Sequence, residues 1–192
     1  HLARLVPYEI EADLAQDING LHVALGSPMP ATSTVVVSYI DRRELDARIK
    51  ALEVVGFDVR HCYAEPLMLP ATASAWVLRM TGDQVDISWD TGAAASVDLS
   101  MLGVLLDAVL NAPGAAAMTP PKVLHLQAQT QQELESLAAQ VAASALMQSW
   151  QPEVLRRVLT GGWDGLCQAS AGGADTVSPV IPDLRQGDFA RP

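Results

Sequence analysis

The alternation of apolar and polar positions divides the chain into a helical opening and two groups of strands. Apolar residues recur every three or four positions over residues 2–18, which predicts an amphipathic helix with an acidic polar face. Asn19 and Gly20 are typical of the end of a helix, so the helix is expected to end there. Residues 21–25 predict a short strand. The β-branched run over residues 35–40 predicts a buried central strand.

A second helix is predicted to follow that strand directly. Asp41 can cap its first turn, and Gly56 suits the position just beyond its end. Its inner face is expected to carry Leu45, Ile49, Leu52 and Val55. Residues 57–62 predict a further strand, which would complete a parallel strand–helix–strand unit with a right-handed crossover. Residues 65–70 form an apolar segment bracketed by prolines.

In the second half of the chain, the sequence pattern predicts short strands separated by turns. Alternation predicts strands at residues 76–80, 85–89, 95–99 and 123–126. Ser100 is placed to cap a helix over residues 101–110. Thr130 and Glu133 have the spacing of a capping box for a helix that reaches about residue 147.

The chain is predicted to end in one more helix and a loose tail. Pro152 suits the first turn of a helix that carries Val154, Leu155, Val158 and Leu159. From residue 161 onward Gly, Ser, Ala and Pro dominate. The order from Trp76 is therefore β-β-β-α-β-α, which is the arrangement of a ribonuclease H-like half-domain. The elements before it match the back part of a similar unit, so the expected class is α/β (mixed α+β), with mixed sheets flanked by helices.

Charge and composition narrow the possible partners. The 192 residues include 12 Lys and Arg against 22 Asp and Glu, a net charge of −10 that disfavours nucleic acid and anionic lipid as partners. Between residues 80 and 121 the only charged residues are acidic, and a solvated face explains them better than a docking patch. The pairs Arg42-Arg43 and Arg156-Arg157 are too small to indicate a nucleic-acid surface. No apolar run is long enough for a membrane span.

No motif in the chain identifies a catalytic, cofactor-binding or metal site. The sequence Asp90-Thr91-Gly92 is similar to the aspartic protease signature, but that chemistry needs a second carboxylate, and a turn between two strands is the favoured interpretation. The adjacent His61 and Cys62 lack any zinc-ligand spacing. Two cysteines are too few for a disulfide framework, and Cys167 has no companion base. The chain also lacks the glycine-rich phosphate-binding motifs.

Three segments together resemble one family, protein L of the bacterial type II secretion system. Residues 5–18 (LVPYEIEADLAQDI) with 21–26 (LHVALG) resemble a stretch of that family that begins with Leu-Pro-Tyr. The helix from Leu45 and the segment 65–70 (EPLMLP) resemble a second stretch. Residues 181–190 (IPDLRQGDFA) resemble the element that ends the family's cytoplasmic region. The three segments occur in the family's order and span the chain.

The resemblance implies an actin-like ATPase superfamily plan built from ribonuclease H-like halves. It implies that residues 1–72 are the back part of a first subdomain whose opening strands are absent. Residues 73–160 would form the second subdomain, and residues 161–192 an extended segment leading to a transmembrane helix that this chain lacks. The missing initiator methionine agrees with an excised piece. Nucleotide-binding members of the superfamily hold phosphate and Mg²⁺ with an Asp-x-Gly turn, and the matching place here is occupied by residues 78–83, which carry no strand carboxylate.

The function implied by the resemblance is assembly rather than catalysis. Protein L recruits the secretion ATPase, protein E, to the cytoplasmic face of the inner membrane, and it joins the platform proteins M and F. The chain is thus expected to be a soluble, non-enzymatic piece without cofactor, with a possible homodimer and no nucleic-acid partner. The alternatives are an active actin-like nucleotide-binding protein, the type IV pilus platform protein M, and more remotely an aspartic protease centred on Asp90.

Overall fold

The computed structural model describes residues 2–11, 17–28, 34–69, 74–89, 93–110, 121–159 and 182–190. The chain divides into two compact units. The first comprises His1–Ala64 with Val177–Pro192, and the second comprises Glu65–Thr176. Among the helices of the described ranges, none has the length and apolar character that crossing a bilayer requires.

The first unit contains two helices and a two-stranded sheet. Helix α1 spans Leu2–Ile10, and a 3-10 turn at Ile18–Gly20 leads into strand β1, Leu21–Leu25. Strand β2, Val37–Asp41, pairs with β1 in antiparallel register, and helix α2 follows at Arg42–Val54. The predicted opening helix therefore ends earlier than expected within the described residues, while the short strand at residues 21–25 is confirmed.

Both ends of α2 are fixed by the residues that the sequence marks. The Asp41 carboxylate accepts hydrogen bonds from the N–H groups of Arg43 and Glu44, as an N-cap should. Gly56 has a φ of +91°, and the N–H groups of Gly56 and Phe57 bond to carbonyls in the last turn in a Schellman arrangement. A helix end of this kind requires the left-handed conformation that glycine adopts without strain.

Three expectations for the first unit are wrong. Residues 57–62 form no strand, so the parallel strand–helix–strand unit does not exist in the described residues. The β-branched run forms β2 of a two-stranded sheet instead of a central strand, and Tyr39 on it is 53% exposed. Helix α2 buries Leu45 and Ile49, but Leu52 and Val55 are exposed. A β-branched run reports strand propensity, whereas its position in the sheet depends on partners that the run does not encode.

The second unit is a five-stranded mixed sheet with helices. Its strands are β3 at Ala75–Thr81, β4 at Gln84–Ser88, β5 at Ala94–Asp98, β6 at Val123–Ala128 and β7 at Glu153–Val158. Its helices are α3 at Leu102–Leu110, α4 at Gln131–Ala143 and α5 at Ala145–Trp150. The strand order is β5-β4-β3-β6-β7, with β4 antiparallel to both neighbours and β3, β6 and β7 parallel. This is the ribonuclease H-like arrangement, and the mixed α+β class is confirmed.

The core of the second unit lies between one face of the sheet and the helices. Alternate residues of β3 point into it, so Trp76, Leu78 and Met80 are buried there, as period-2 patterning requires. The helices contribute Leu102, Leu106, Leu134, Leu137, Val141 and Leu146. The rings of Trp89 and Trp150 each meet the Trp76 ring edge-on, with centroids 6.0 and 6.1 Å away. The opposite face of the sheet is contacted over β4 and β5 by a 3-10 turn at Glu65–Met68.

The structure corrects the last predicted helix and two helix boundaries. The stretch after Pro152 is strand β7, which extends the sheet by parallel pairing with β6. Ser100 lies within a 3-10 turn at Leu99–Met101 and does not cap α3. Ser144 interrupts the long helix because its N–H and hydroxyl both bond to the Val141 carbonyl, which separates α4 from α5. The capping box of Thr130 and Glu133 is confirmed.

Candidate functional site

Polar contacts join strand β1 of the first unit to residues 182–190, which we call the terminal segment. The Gln186 side chain bonds to both backbone groups of Leu25: its Nε2 donates to the carbonyl at 3.0 Å, and its Oε1 accepts from the N–H at 3.3 Å. Leu184 is buried in a cluster with Ala24, Leu45 and Ile49. Two segments 161 residues apart in sequence are therefore packed together by both polar and apolar contacts.

His22 of β1 is buried beneath the terminal segment. Its Nε2 lies 2.8 Å from the carbonyl oxygen of Leu184, and its ring meets the Phe189 ring edge-on with centroids 4.8 Å apart. Burial lowers the pKa of His22, and the bond to the Leu184 carbonyl only partly opposes that effect. The neutral imidazole is the form that this packing favours.

Asp183 is the main polar anchor at the start of the terminal segment. Its carboxylate accepts from the N–H groups of Cys62 at 3.0 Å and Arg185 at 2.9 Å, and one oxygen lies 2.7 Å from Nδ1 of His61. Burial acts against ionisation, but these hydrogen bonds together hold the pKa of Asp183 below its usual value. At the other end of the segment Asp188 forms an ion pair with Arg42.

An open cleft of about 670 Å³ lies beside this contact. Residues that line it include Tyr8 of α1, His22 and Val23 of β1, and Arg42 and Gln186. Within the described residues the lining brings together no nucleophile and base. No group of His, Cys, Asp and Glu side chains in the described ranges is arranged to hold a metal ion. The described lining offers backbone and side-chain hydrogen-bonding groups and the ion pair of Arg42 and Asp188.

In the second unit the turn between β3 and β4 is held by a carboxylate from α4. Gly82, with a φ of +60°, donates its N–H to Oε1 of Glu133 at 3.0 Å. The other oxygen of Glu133 accepts from the N–H and hydroxyl of Thr130, which completes the capping box. Burial acts in the opposite direction, but these hydrogen bonds lower the pKa of Glu133. The carboxylate bound at this turn is thus the side chain of Glu133.

A row of polar side chains crosses the sheet on the face opposite the core. Arg79 of β3 donates two bonds to Oε1 of Gln127 on β6, at 3.2 and 3.0 Å, and lies in register with Asp86 of β4. Asp86 accepts from the Ser96 hydroxyl of β5 at 2.6 Å. Burial raises the pKa of Asp86 and lowers that of Arg79, while each partly offsets the effect on the other. Glu65 adds a second carboxylate to this row: burial and the charge of Asp86 raise its pKa, and Arg79 opposes that effect.

The residues singled out from the sequence do not form a catalytic site in the described ranges. Asp90-Thr91-Gly92 and Cys167 lie outside those ranges. Burial raises the pKa of the half-buried Cys62 thiol, so it is not an activated nucleophile. His61 contacts Asp183 and stacks near Tyr63. Sequence reasoning missed the contacts of the terminal segment, although all three segments that carry the family resemblance contribute to them, through β1, α2 and the terminal segment itself.

Comparison with protein families gives one consistent result. A family model described as type II secretion system (T2SS), protein L, matches residues 1–153. Type II secretion system protein L of Vibrio cholerae is 30% identical over 104 residues, which is 54% of this chain and 25% of that protein. The protein of the same name from Pectobacterium carotovorum is 23% identical over 192 residues, 99% of this chain and 39% of that protein. The chain thus spans well under half the length of these relatives.

A solved structure shares the fold. It is the cytoplasmic domain of EpsL, an inner membrane component of the type II secretion system of Vibrio cholerae. The match has a TM-score of 0.66 and 23% sequence identity, and it covers 98% of this chain and 68% of that domain. Similarity at this level shows the fold, which is actin-like.

Proposed function

Because the chain belongs to the protein L family of the type II secretion system, we propose that it is a non-enzymatic assembly piece that recruits the secretion ATPase, protein E. The platform proteins M and F would be further partners of the full-length protein, at the cytoplasmic face of the inner membrane. Because the matching family model is that of protein L, we set aside the alternative of the type IV pilus platform protein M. A homodimer of the full-length protein is part of the same proposal.

The observation that carries the proposal is the carboxylate of Glu133 on the β3–β4 turn. In nucleotide-binding relatives of this fold, the corresponding turn holds phosphate. Here the Gly82 N–H already donates to Glu133 at 3.0 Å. A phosphate would have to displace this bond and would approach a carboxylate of the same sign of charge. The turn is therefore better suited to structural support than to nucleotide binding.

The strand that precedes this turn gives a second argument. A nucleotide-binding strand would direct a carboxylate toward Mg²⁺, whereas β3 carries the guanidinium of Arg79. Arg79 is itself bonded to Gln127. The carboxylate nearest in register, Asp86, accepts from Ser96 on the neighbouring strand. Because Arg79 and Asp86 are bonded to other side chains and β3 lacks a carboxylate for Mg²⁺, we infer that the fold serves to bind other proteins.

A titration with the N-terminal domain of the cognate ATPase tests the proposal. The full chain, immobilised by one terminus, is expected to bind that domain in the micromolar range. The proposal takes the partner surface to be basic, to complement a net charge of −10, so binding should weaken from low to moderate salt. No detectable complex at tens of micromolar would contradict the recruitment role.

A nucleotide titration tests the non-enzymatic part separately. Calorimetry with Mg·ATP at millimolar concentration is expected to give no binding heat for the natural chain. Glu133→Gln serves as a companion variant, since it removes the negative charge beside Gly82 while keeping an oxygen acceptor. Micromolar binding of Mg·ATP by the natural chain would favour the active nucleotide-binding alternative instead.

A further inference from the structure

Strand β7 is an edge of the five-stranded sheet whose outer side is unpaired in the part of the chain that the structure describes. The N–H groups of Glu153 and Leu159 donate inward, to carbonyl oxygens along β6 and just before it, at 2.9 and 2.8 Å. In a parallel sheet, the backbone N–H and C=O groups of every second residue of a strand point to the same neighbouring strand. The backbone groups that point outward therefore belong to Val154, Arg156 and Val158. They form a row of donors and acceptors that can pair with another strand.

Positive charge is concentrated on this edge of an acidic chain. Arg156 and Arg157 are both exposed, and Lys122 is exposed just before the neighbouring strand, whereas Glu153 is the one exposed acidic residue of β7. Among the described residues no ion pair or hydrogen bond links either arginine to a carboxylate. Three arginines of the first unit, Arg42, Arg48 and Arg60, differ in this respect, since each has a carboxylate partner. Within the described residues, the β7 edge thus presents positive charge that no carboxylate neutralises by direct contact.

The face of the sheet next to this edge is open and partly apolar. A shallow cleft of about 280 Å³ lies over β6 and β7, lined by residues that include His125, Gln127, Leu155 and Arg157. Leu155 is 43% exposed there. A side chain of an added strand could rest against Leu155 while the next side chain on the same face reaches Arg157. Side chains on the other face could reach Arg156. This surface, which we call the β7 surface, comprises the outer edge of β7 and this cleft.

We propose that the β7 surface binds an extended acidic segment of another protein, which adds as a sixth strand. Main-chain hydrogen bonds to Val154, Arg156 and Val158 would supply the pairing, and the arginines would select carboxylates. Pairing of β7 with β7 of a second copy is disfavoured, because it would oppose the two arginine pairs. The competing explanation is that the arginines only prevent the exposed edge from pairing with other strands. In that case the edge should show no preference for an acidic peptide.

The test uses the full chain and a synthetic peptide of alternating Glu-Glu and Val-Val pairs, acetylated and amidated, so that each face of the added strand carries both Glu and Val. A peptide of Lys-Lys and Val-Val pairs is the control. Nitrogen–proton NMR spectra are expected to show shifts centred on the amides of Val154, Arg156 and Val158 with the Glu peptide only. The affinity is expected to fall as salt is raised from about 0.05 to about 0.5 M, by screening of the charges. Equal binding of the two peptides, or shifts centred elsewhere, would overturn the proposal.

Substitutions on the edge separate charge from strand pairing. Arg157→Glu should weaken the Glu peptide by about tenfold, through lost attraction and added repulsion. Arg43→Glu, a charge reversal at an exposed position of α2, should leave the affinity unchanged. Arg156→Gln removes one charge, and Arg156→Pro removes the same charge and the outward N–H. The proline variant should therefore bind about threefold to tenfold more weakly than the glutamine variant.

Two outcomes of these variants would overturn the proposal. Equal affinities of Arg156→Pro and Arg156→Gln would exclude strand addition. Dimers of the natural chain that Arg156→Pro disperses in sedimentation would assign the edge to a second copy. Circular dichroism melting of every variant checks that the sheet is retained, which is expected because residue 156 donates no N–H bond to β6. The result stands apart from the ATPase titration, so either proposal can fail without the other.

Discussion

Single polar residues in this chain act by holding backbone groups that lie far away in sequence. Glu133 has the spacing of a capping box, and that local role was predictable because it involves neighbours three residues apart. Its second bond, to the N–H of Gly82, joins residues 51 positions apart. Local spacing carries no information about such a contact. The same holds for Gln186, which bonds to the backbone of Leu25.

His22 is the residue through which mild acid should act on the first unit. Burial lowers its pKa in the folded state, so the unfolded chain binds the proton more readily. The stability contributed by the neutral ring is present above the ordinary pKa of about 6.5 and is lost as the pH falls below it. Between about pH 7 and pH 5 we expect faster opening of the Leu184 amide, which bonds to the Cys62 carbonyl at 2.7 Å.

Hydrogen exchange, expressed as a protection factor at each pH, measures this effect. His22→Gln should remove the pH dependence, since glutamine can donate to the Leu184 carbonyl but does not titrate in this range. His125→Gln, in the second unit, should leave it in place. Protection at Leu184 that stays constant across the same pH range in the natural chain would show that His22 is not the sensitive group.

At the scale of elements, local pattern predicted strands well where alternation and turns agree. The hairpin of β3 and β4 and the strand β6 were confirmed because apolar and polar residues alternate along each and the turn contains Gly82. Residues 57–62 were predicted as a strand and β7 as a helix, and both predictions were wrong. The apolar spacing after Pro152 fits a helix as well as a strand, and only pairing with β6 decides between them.

The end of helix α2 allows a test of one such local feature. Gly56 has a φ of +91°, and no atom beyond its immediate chain neighbours lies within 4 Å of the place that an alanine methyl group would occupy, so backbone strain is what opposes an alanine. Gly56→Ala should lower the free energy of unfolding of the first unit by about 1 kcal/mol. Gly20→Ala, in the same unit and also with open space, lacks the positive φ and should change it by less than about 0.5 kcal/mol.

Urea denaturation followed by circular dichroism compares these two alanine variants. Both add one methyl group at an open site, so the difference between them isolates the backbone conformation. Equal losses of stability would mean that the Schellman turn after α2 relaxes without strain.

At the scale of the whole chain, the order of most elements in the second unit was predictable, but the return of the terminal segment to the first unit was not. Residues 182–190 follow a long stretch rich in Gly, Ser and Ala, which indicated an extended tail. Yet Leu184 is only 5% exposed, in a cluster with Leu45 and Ile49 of α2. Such a contact depends on matching a short apolar element to a distant groove, and the segment is too short for its periodicity to reveal it.

The two compact units supply matched positions for testing where the terminal segment contributes. Leu184→Ala should destabilise the first unit by about 2–4 kcal/mol, since it leaves a cavity beside Leu45 and Ile49. Leu137→Ala, at a fully buried position of α4, should destabilise the second unit by a similar amount. In Leu184→Ala the amides of β1 should lose more exchange protection than those of β6. In Leu137→Ala the amides of β6 should lose more than those of β1. If Leu184→Ala left the protection of β1 unchanged, the terminal segment would not stabilise the unit to which its contacts assign it.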